Sequence, residues 1–169
     1  MTLKNKNYQP VPLWAKLPHP MRFQEATSVA TDSNDNVYVF NRGLYPLIIF
    51  DKDGNYIGHW GEGEFNRPHG IRIDKDDNLY HIDDLDHIVQ KRTKSGEILL
   101  TIGEKGKPSP WQEGGYFNRP TDVAVDEFTG DIFVSDQDPR ELVDFTFEDD
   151  GMYANFIGNA QSENVIFTL

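Results

Sequence analysis

Short runs of four or five residues, either wholly apolar or alternating apolar and polar, recur along the chain in groups of four. The first group is Thr27 to Asp32, Asn36 to Val39, Leu47 to Phe50 and Gly54 to Ile57, closing on Trp60-Gly61. The second is Pro68 to Asp74, Asn78 to His81, Ile88 to Lys91 and Gly96 to Leu99, closing on Ile102-Gly103. The third is Pro120 to Asp126, Asp131 to Val134, Leu142 to Phe145 and Gly151 to Ala154, closing on Ile157-Gly158. Period-two alternation over so few residues predicts strands rather than helices. Asp53-Gly54, Ser95-Gly96 and Asp150-Gly151 separate the third and fourth runs, and they suit the φ > 0 positions of tight hairpins. Asp76-Asp77-Asn78 and Thr129-Gly130-Asp131 play that part between the first and second runs. Each group therefore predicts a four-stranded antiparallel meander.

The repeat has a period. Tyr38 and Tyr80 are 42 residues apart, and Tyr80 and Phe133 are 53 apart. Most of the excess is one insertion, Glu104 to Tyr116. A period of about 40–45 residues with four strands per period is that of a β-propeller blade. The expected class is all-β: three four-stranded blades at 25–61, 65–103 and 117–158, an N-terminal arm over 1–24, and a tail over 159–169. Pro10, Pro12, Pro18 and Pro20 exclude a long helix in the arm. Its Tyr8, Val11, Leu13 and Trp14 suit a place along a neighbouring blade. The tail residues Val165 to Leu169 have strong β-propensity and read as one added strand or an aggregation-prone end.

Bulk composition narrows the partners. The chain has 169 residues, with 16 basic and 28 acidic side chains for a net charge of −12. That argues against nucleic acid and anionic membranes as partners. There is no cysteine, so disulfides, thiolate metal sites and a cysteine nucleophile are excluded. No signal-peptide core and no membrane-length apolar run is visible, so the expectation is a cytoplasmic protein that does not enter a membrane.

Candidate chemistry lies at the ends of the predicted strands. Arg42 follows a strand end and precedes a loop, which suits either a surface ion pair or a charge presented on one propeller face. His69, in Arg67-Pro68-His69-Gly70, stands just before an innermost strand, at the mouth of the expected channel. A neutral imidazole there serves a metal, a proton transfer or a structural hydrogen bond. His59, His81 and His87 have weaker claims. His81 falls within a strand, while His59 and His87 precede expected outer-strand positions. No HxH or HExxH spacing occurs. Asp51 to Asn55 lacks the sixth-position glycine of a calcium loop and reads as a hairpin. The Gly- and Pro-rich Glu104 to Tyr116 loop is long enough to be functional. Its Trp111 suits either a cover on a channel or packing on a blade edge.

Phe65-Asn66-Arg67-Pro68-His69-Gly70, Asn41-Arg42-Gly43 and the segment Pro120-Thr121-Asp122-Val123-Ala124-Val125 leading to Phe133-Val134-Ser135-Asp136 resemble NHL-repeat propellers. Within them they resemble the six-bladed peptidyl-α-hydroxyglycine α-amidating lyases, over about Val11 to Gly158. The resemblance implies a zinc-dependent lyase that cleaves peptidyl-α-hydroxyglycine to peptide amide and glyoxylate, with a nearby structural calcium. By position it makes His69 a zinc ligand, Arg42 the catalytic arginine, and Val29 and Ile71 calcium ligands through their carbonyls. The family's tyrosine base falls at Asp138, a departure. Two further zinc histidines, a second arginine and a calcium-binding aspartate would belong to later blades. The half-length chain is therefore expected to be incomplete or inactive; a homodimer closing a six-bladed ring would bring two copies of His69 and Arg42 to one channel, but not three histidines. The alternative is a non-enzymatic NHL scaffold that binds a peptide or protein. A third reading, a calcium-dependent propeller hydrolase such as a lactonase, would need an acidic channel cluster that the sequence does not identify.

Overall fold

The computed structural model describes residues 9–109 and 116–136, together with the backbone of two strands further on. Twelve strands occur among the described residues, with no α-helix. The first sheet comprises β1 (Glu25–Thr31), β2 (Val37–Arg42), β3 (Leu47–Phe50) and β4 (Tyr56–Trp60). The second comprises β5 (Pro68–Ile73), β6 (Leu79–Asp83), β7 (Ile88–Arg92) and β8 (Ile98–Gly103). The third comprises β9 (Pro120–Val125), β10 (Ile132–Asp136), β11 (Leu142–Glu148) and β12 (Gly151–Phe156). In every sheet the strands are neighbours in chain order and pair antiparallel. The first strands β1, β5 and β9 lie side by side from sheet to sheet.

Local chemistry explains the hairpins. In the first unit the carboxylate of Asp32 accepts the backbone N–H groups of Asn34 and Asn36, each at 2.9 Å. Asp74 accepts those of Asp76 and Asn78 at 3.0 and 2.8 Å. Asp51 does the same for Asp53 and Asn55 at 2.9 and 2.8 Å. Each is an Asx turn that replaces the ladder bonds lost where the strand reverses. The Asp51 carboxylate is thus engaged with its own loop, as a hairpin requires. Gly54, at φ 80°, supplies the left-handed position there, and the Trp14 carbonyl sits where a side chain would stand.

The core lies between sheets. Tyr38, Phe40, Leu47, Ile71 and Leu79 fill the seam between the first and second. Tyr80, Ile82, Val89, Ile102, Phe117, Val123, Ile132 and Val134 fill the seam between the second and third. Alternation along β6 sends Leu79 and His81 to one seam and Tyr80 and Ile82 to the other. From the arm, Trp14 and Phe23 pack on Phe50, with ring centroids 5.6 and 6.0 Å apart. Val11 and Leu13 are largely exposed. Tyr8, Trp111, Asp138 and the tail Val165 to Leu169 lie outside the described residues.

Candidate functional site

Arg42, His69 and the residues around them share one end of the sheets, because Glu25 pairs with Arg42, Pro68 with Asp83, and Pro120 with Asp136. At this rim one position does the same task three times. Asn41 accepts the backbone N–H groups of Gln24 and Glu25, both at 3.0 Å. Asp83 accepts those of Asn66, Arg67 and Asp86. Asp136 accepts that of Asn118. The chain entering each innermost strand is thereby tied to the end of the second strand. Burial raises the Asp83 carboxyl above the ordinary aspartate range, and its backbone N–H bonds offset part of that rise.

His69 breaks the repeat. The first and third units carry Thr27 and Thr121 at its position, and each hydroxyl donates to a carbonyl of its own sheet, Phe40 at 3.3 Å and Ser135 at 3.2 Å. His69 instead reaches across to the third sheet, where its Nδ1 lies 2.9 Å from the Thr121 carbonyl oxygen. A carbonyl cannot donate, so Nδ1 carries the proton and Nε2 keeps its lone pair. A backbone-anchored Nδ1–H with Nε2 free is how proteins orient a metal-ligating imidazole. Gly70 permits the close approach. A Cβ there would stand 2.5 Å from Ile82 Cδ1 and 3.0 Å from the Thr121 carbonyl oxygen.

Arg42 also crosses a seam. Its Nε–H donates to the Pro68 carbonyl at 2.9 Å, and Nη1 pairs with Glu25 at 3.0 Å. Arg42 is thus paired with a local acid and bonded to the residue that precedes His69. In the second unit Asp84 takes the place of Arg42. Asp84 is 1% exposed, and its Oδ2 lies 2.5 Å from Arg67 and 2.8 Å from Arg119. Nothing in the sequence joined those two arginines to Asp84.

Val29 and Ile71 take equivalent places in β1 and β5, opposite Val39 and His81. Each strand is the edge of its sheet, so alternate carbonyls point away from the ladder. Among the described residues no three histidine, aspartate or glutamate side chains converge as a metal-binding set. His69 fits one metal ligand, and the rest of a zinc centre is not assembled by these residues.

The other histidines fall elsewhere. His81 is 1% exposed, with neither ring nitrogen hydrogen-bonded, and burial lowers its pKa to about 3. His87 precedes β7 and its Nδ1 accepts the Arg119 backbone N–H at 3.0 Å. His59 lies within β4 rather than ahead of it, because the strand runs to Trp60.

A probable peptidyl-α-hydroxyglycine α-amidating lyase of Caenorhabditis elegans is 35% identical over 125 residues, covering 70% of this chain and 35% of that protein. Peptidyl-glycine α-amidating monooxygenase A of Xenopus laevis is 32% identical over 142 residues, covering 79% of this chain and 15% of that protein. The chain resembles the NHL-repeat propellers and, among them, the amidating lyases. NHL repeat-containing protein 3 of Homo sapiens is 31% identical over 138 residues, covering 74% of this chain and 38% of that protein. The chain thus spans well under half the length of these relatives. No protein-family model matches it. Among solved structures, a chain of the nidogen/laminin complex superposes with a TM-score of 0.59 at 15% identity, covering 80% of this chain and 49% of that one. That likeness shows a propeller-like all-β fold.

Proposed function

We propose that the three sheets are blades of an NHL-type propeller, and that their rim is one part of a lyase centre acting on peptidyl-α-hydroxyglycine. The observation that carries this reading is His69. It alone among the equivalent positions turns from its own sheet and presents Nε2 from an anchored ring. Bound zinc would supply a Lewis acid that polarises the substrate hydroxyl. His69 would hold it through Nε2. Arg42, fixed through Nε and Nη1, has Nη2 left to meet the oxygen on which charge develops as the C–N bond breaks. Val29 and Ile71 would offer carbonyls to calcium.

The remaining ligands would come from further blades or from a second copy. Two copies of this chain would bring six blades, two His69 and two Arg42 to one ring. The test is glyoxylate release from an α-hydroxyglycine peptide with added zinc, alongside the native mass with metal retained. Zinc taken up by the wild type and lost in His69→Ala supports the site. Zinc uptake unchanged by that substitution removes His69 from it. Turnover by a ring-forming species and none by the monomer assigns the activity to the closed ring. A second reading, a scaffold for a peptide or protein partner, is favoured by Asp138 at the tyrosine position. It expects no zinc at His69 and partner binding that survives His69→Ala.

A further inference from the structure

On the outermost strand of the first sheet, running toward the same end as Arg42 but two strands out from it, three side chains form a hydrogen-bonded line. The Tyr56 hydroxyl meets Nδ1 of His59, and His59 Nε2 lies 2.8 Å from the Glu62 carboxylate. Regular strand geometry would forbid the first contact, since residues three apart face opposite sides. The ladder explains why it forms. Ile48 pairs with His59 and Ile49 with Gly58, but Phe50 pairs with Tyr56, so Ile57 is an extra residue. That bulge resets the alternation and brings Tyr56 and His59 to one face. The chain then turns at Gly61, φ 97°, which returns Glu62 to the imidazole. Tyr45 stands edge-on to the His59 ring, 5.1 Å between centroids, and fixes its plane.

The proton positions follow from the partners. A carboxylate only accepts, so His59 carries its proton on Nε2, toward Glu62. Nδ1 is then the acceptor and Tyr56 the donor. This is the order of a nucleophile, a base and a group that orients the base. His59 is 32% exposed at its side chain and Glu62 46%, so the line is open to a reagent.

We propose that Tyr56 is a nucleophilic phenol, activated by His59 and positioned through Glu62, that takes an acyl group from activated aryl esters. In the step, the phenol oxygen forms a bond to the ester carbonyl carbon, and the carbon–oxygen bond to the aryl group breaks. The aryloxide leaves with that electron pair, while the Tyr56 proton passes to His59 Nδ1. No oxidant or reductant is involved, and the site is separate from Arg42 and His69.

The test uses p-nitrophenyl acetate on the whole chain, with release of p-nitrophenolate followed by absorbance and the acetyl group located by peptide mass mapping. The expected result is a stoichiometric burst with acetyl on Tyr56, about tenfold or more faster than on the 45%-exposed Tyr116. Tyr56→Phe removes the burst. His59→Gln retains a hydrogen-bond acceptor but cannot take up the proton, and it slows acetylation of Tyr56 about as much as His59→Ala does. Added imidazole restores Tyr56 labelling in His59→Ala relative to Tyr116, and Glu62→Gln slows it less than either histidine change. Acetyl spread over tyrosines and lysines according to exposure overturns the proposal. So does a His59→Gln protein that labels at the wild-type rate.

Discussion

The two seams between sheets are built differently. The seam of the second and third sheets is lined by aliphatic and aromatic side chains from β6, β7, β8, β9 and β10, with Phe117 from the connecting loop. The seam of the first and second holds Phe40, Trp60 and Phe65 around His81, with centroids 5.2, 5.2 and 5.4 Å from the imidazole. Arg92 stands over Trp60 and Phe65 at 5.5 and 5.2 Å and pairs with Glu64. Trp60 Nε1 and both nitrogens of His81 are buried without a hydrogen-bond partner. Val39 and Val134 fill the position of His81 in the other units. The buried interior of one seam is apolar packing, whereas that of the other depends also on a group staying uncharged.

The seam of the second and third sheets is the more sensitive to lost volume. Ile82→Ala opens a cavity where the side chain is wholly buried and should cost about 2–5 kcal/mol. Urea denaturation should show the midpoint fall with the slope retained. A loss under about 1 kcal/mol would mean that this seam is looser than it looks.

Acid acts on the other seam. The His81 pKa is depressed in the folded chain to about 3, against about 6.5 for an ordinary histidine. Protons then bind the unfolded chain preferentially. Stability from this group is fully present above about pH 6.5 and falls as pH drops toward 3, by about 1.4 kcal/mol per pH unit at most. By pH 4.5 the loss approaches about 3 kcal/mol. His81→Val, the residue of the other units, should flatten that part of the curve. An unaltered pH–stability profile in the variant would clear His81 of the effect.

Gly70→Ala probes the rim between the second and third sheets. The Ile82 methyl can move, but the Thr121 carbonyl is backbone held between the paired residues Pro120 and Asp122, so a loss of about 1–3 kcal/mol is expected. Zinc uptake through His69 should weaken with it. Wild-type stability together with wild-type zinc uptake would show that the two strands need not approach so closely. Arg42→Ala is the mildest change. Its acid partner Glu25 is largely exposed, so chemical denaturation should register less than about 1 kcal/mol. A larger loss would make the rim, like the seams, part of what holds the sheets together.

The strands were readable in the sequence because each is announced locally, by alternation and by a turn that Asp, Asn or Gly can make. The rim contacts were not. His69 and Thr121 are 52 residues apart, and only the packing of one sheet on the next brings them together. The histidine itself was visible as an interruption of a threonine position, once the units were aligned. His81 gave no sign that both its nitrogens would lie unpartnered, since a strand histidine reads alike when buried or exposed. Tyr56 and His59 were hidden by the alternation rule itself, which places them on opposite faces until a bulge is known.

The carbonyl contacts at the rim have a direction. Arg42 of the first sheet reaches Pro68 of the second, and His69 of the second reaches Thr121 of the third. Both run from one sheet to the next in chain order, although the two donors hold different places in the repeat and Arg119 of the third sheet reaches back to Asp84 and His87 of the second. What limits the number of units is the angle turned at each step, which decides whether such a series closes or winds onward. A circle of such units can change its number of members only if that angle changes with it.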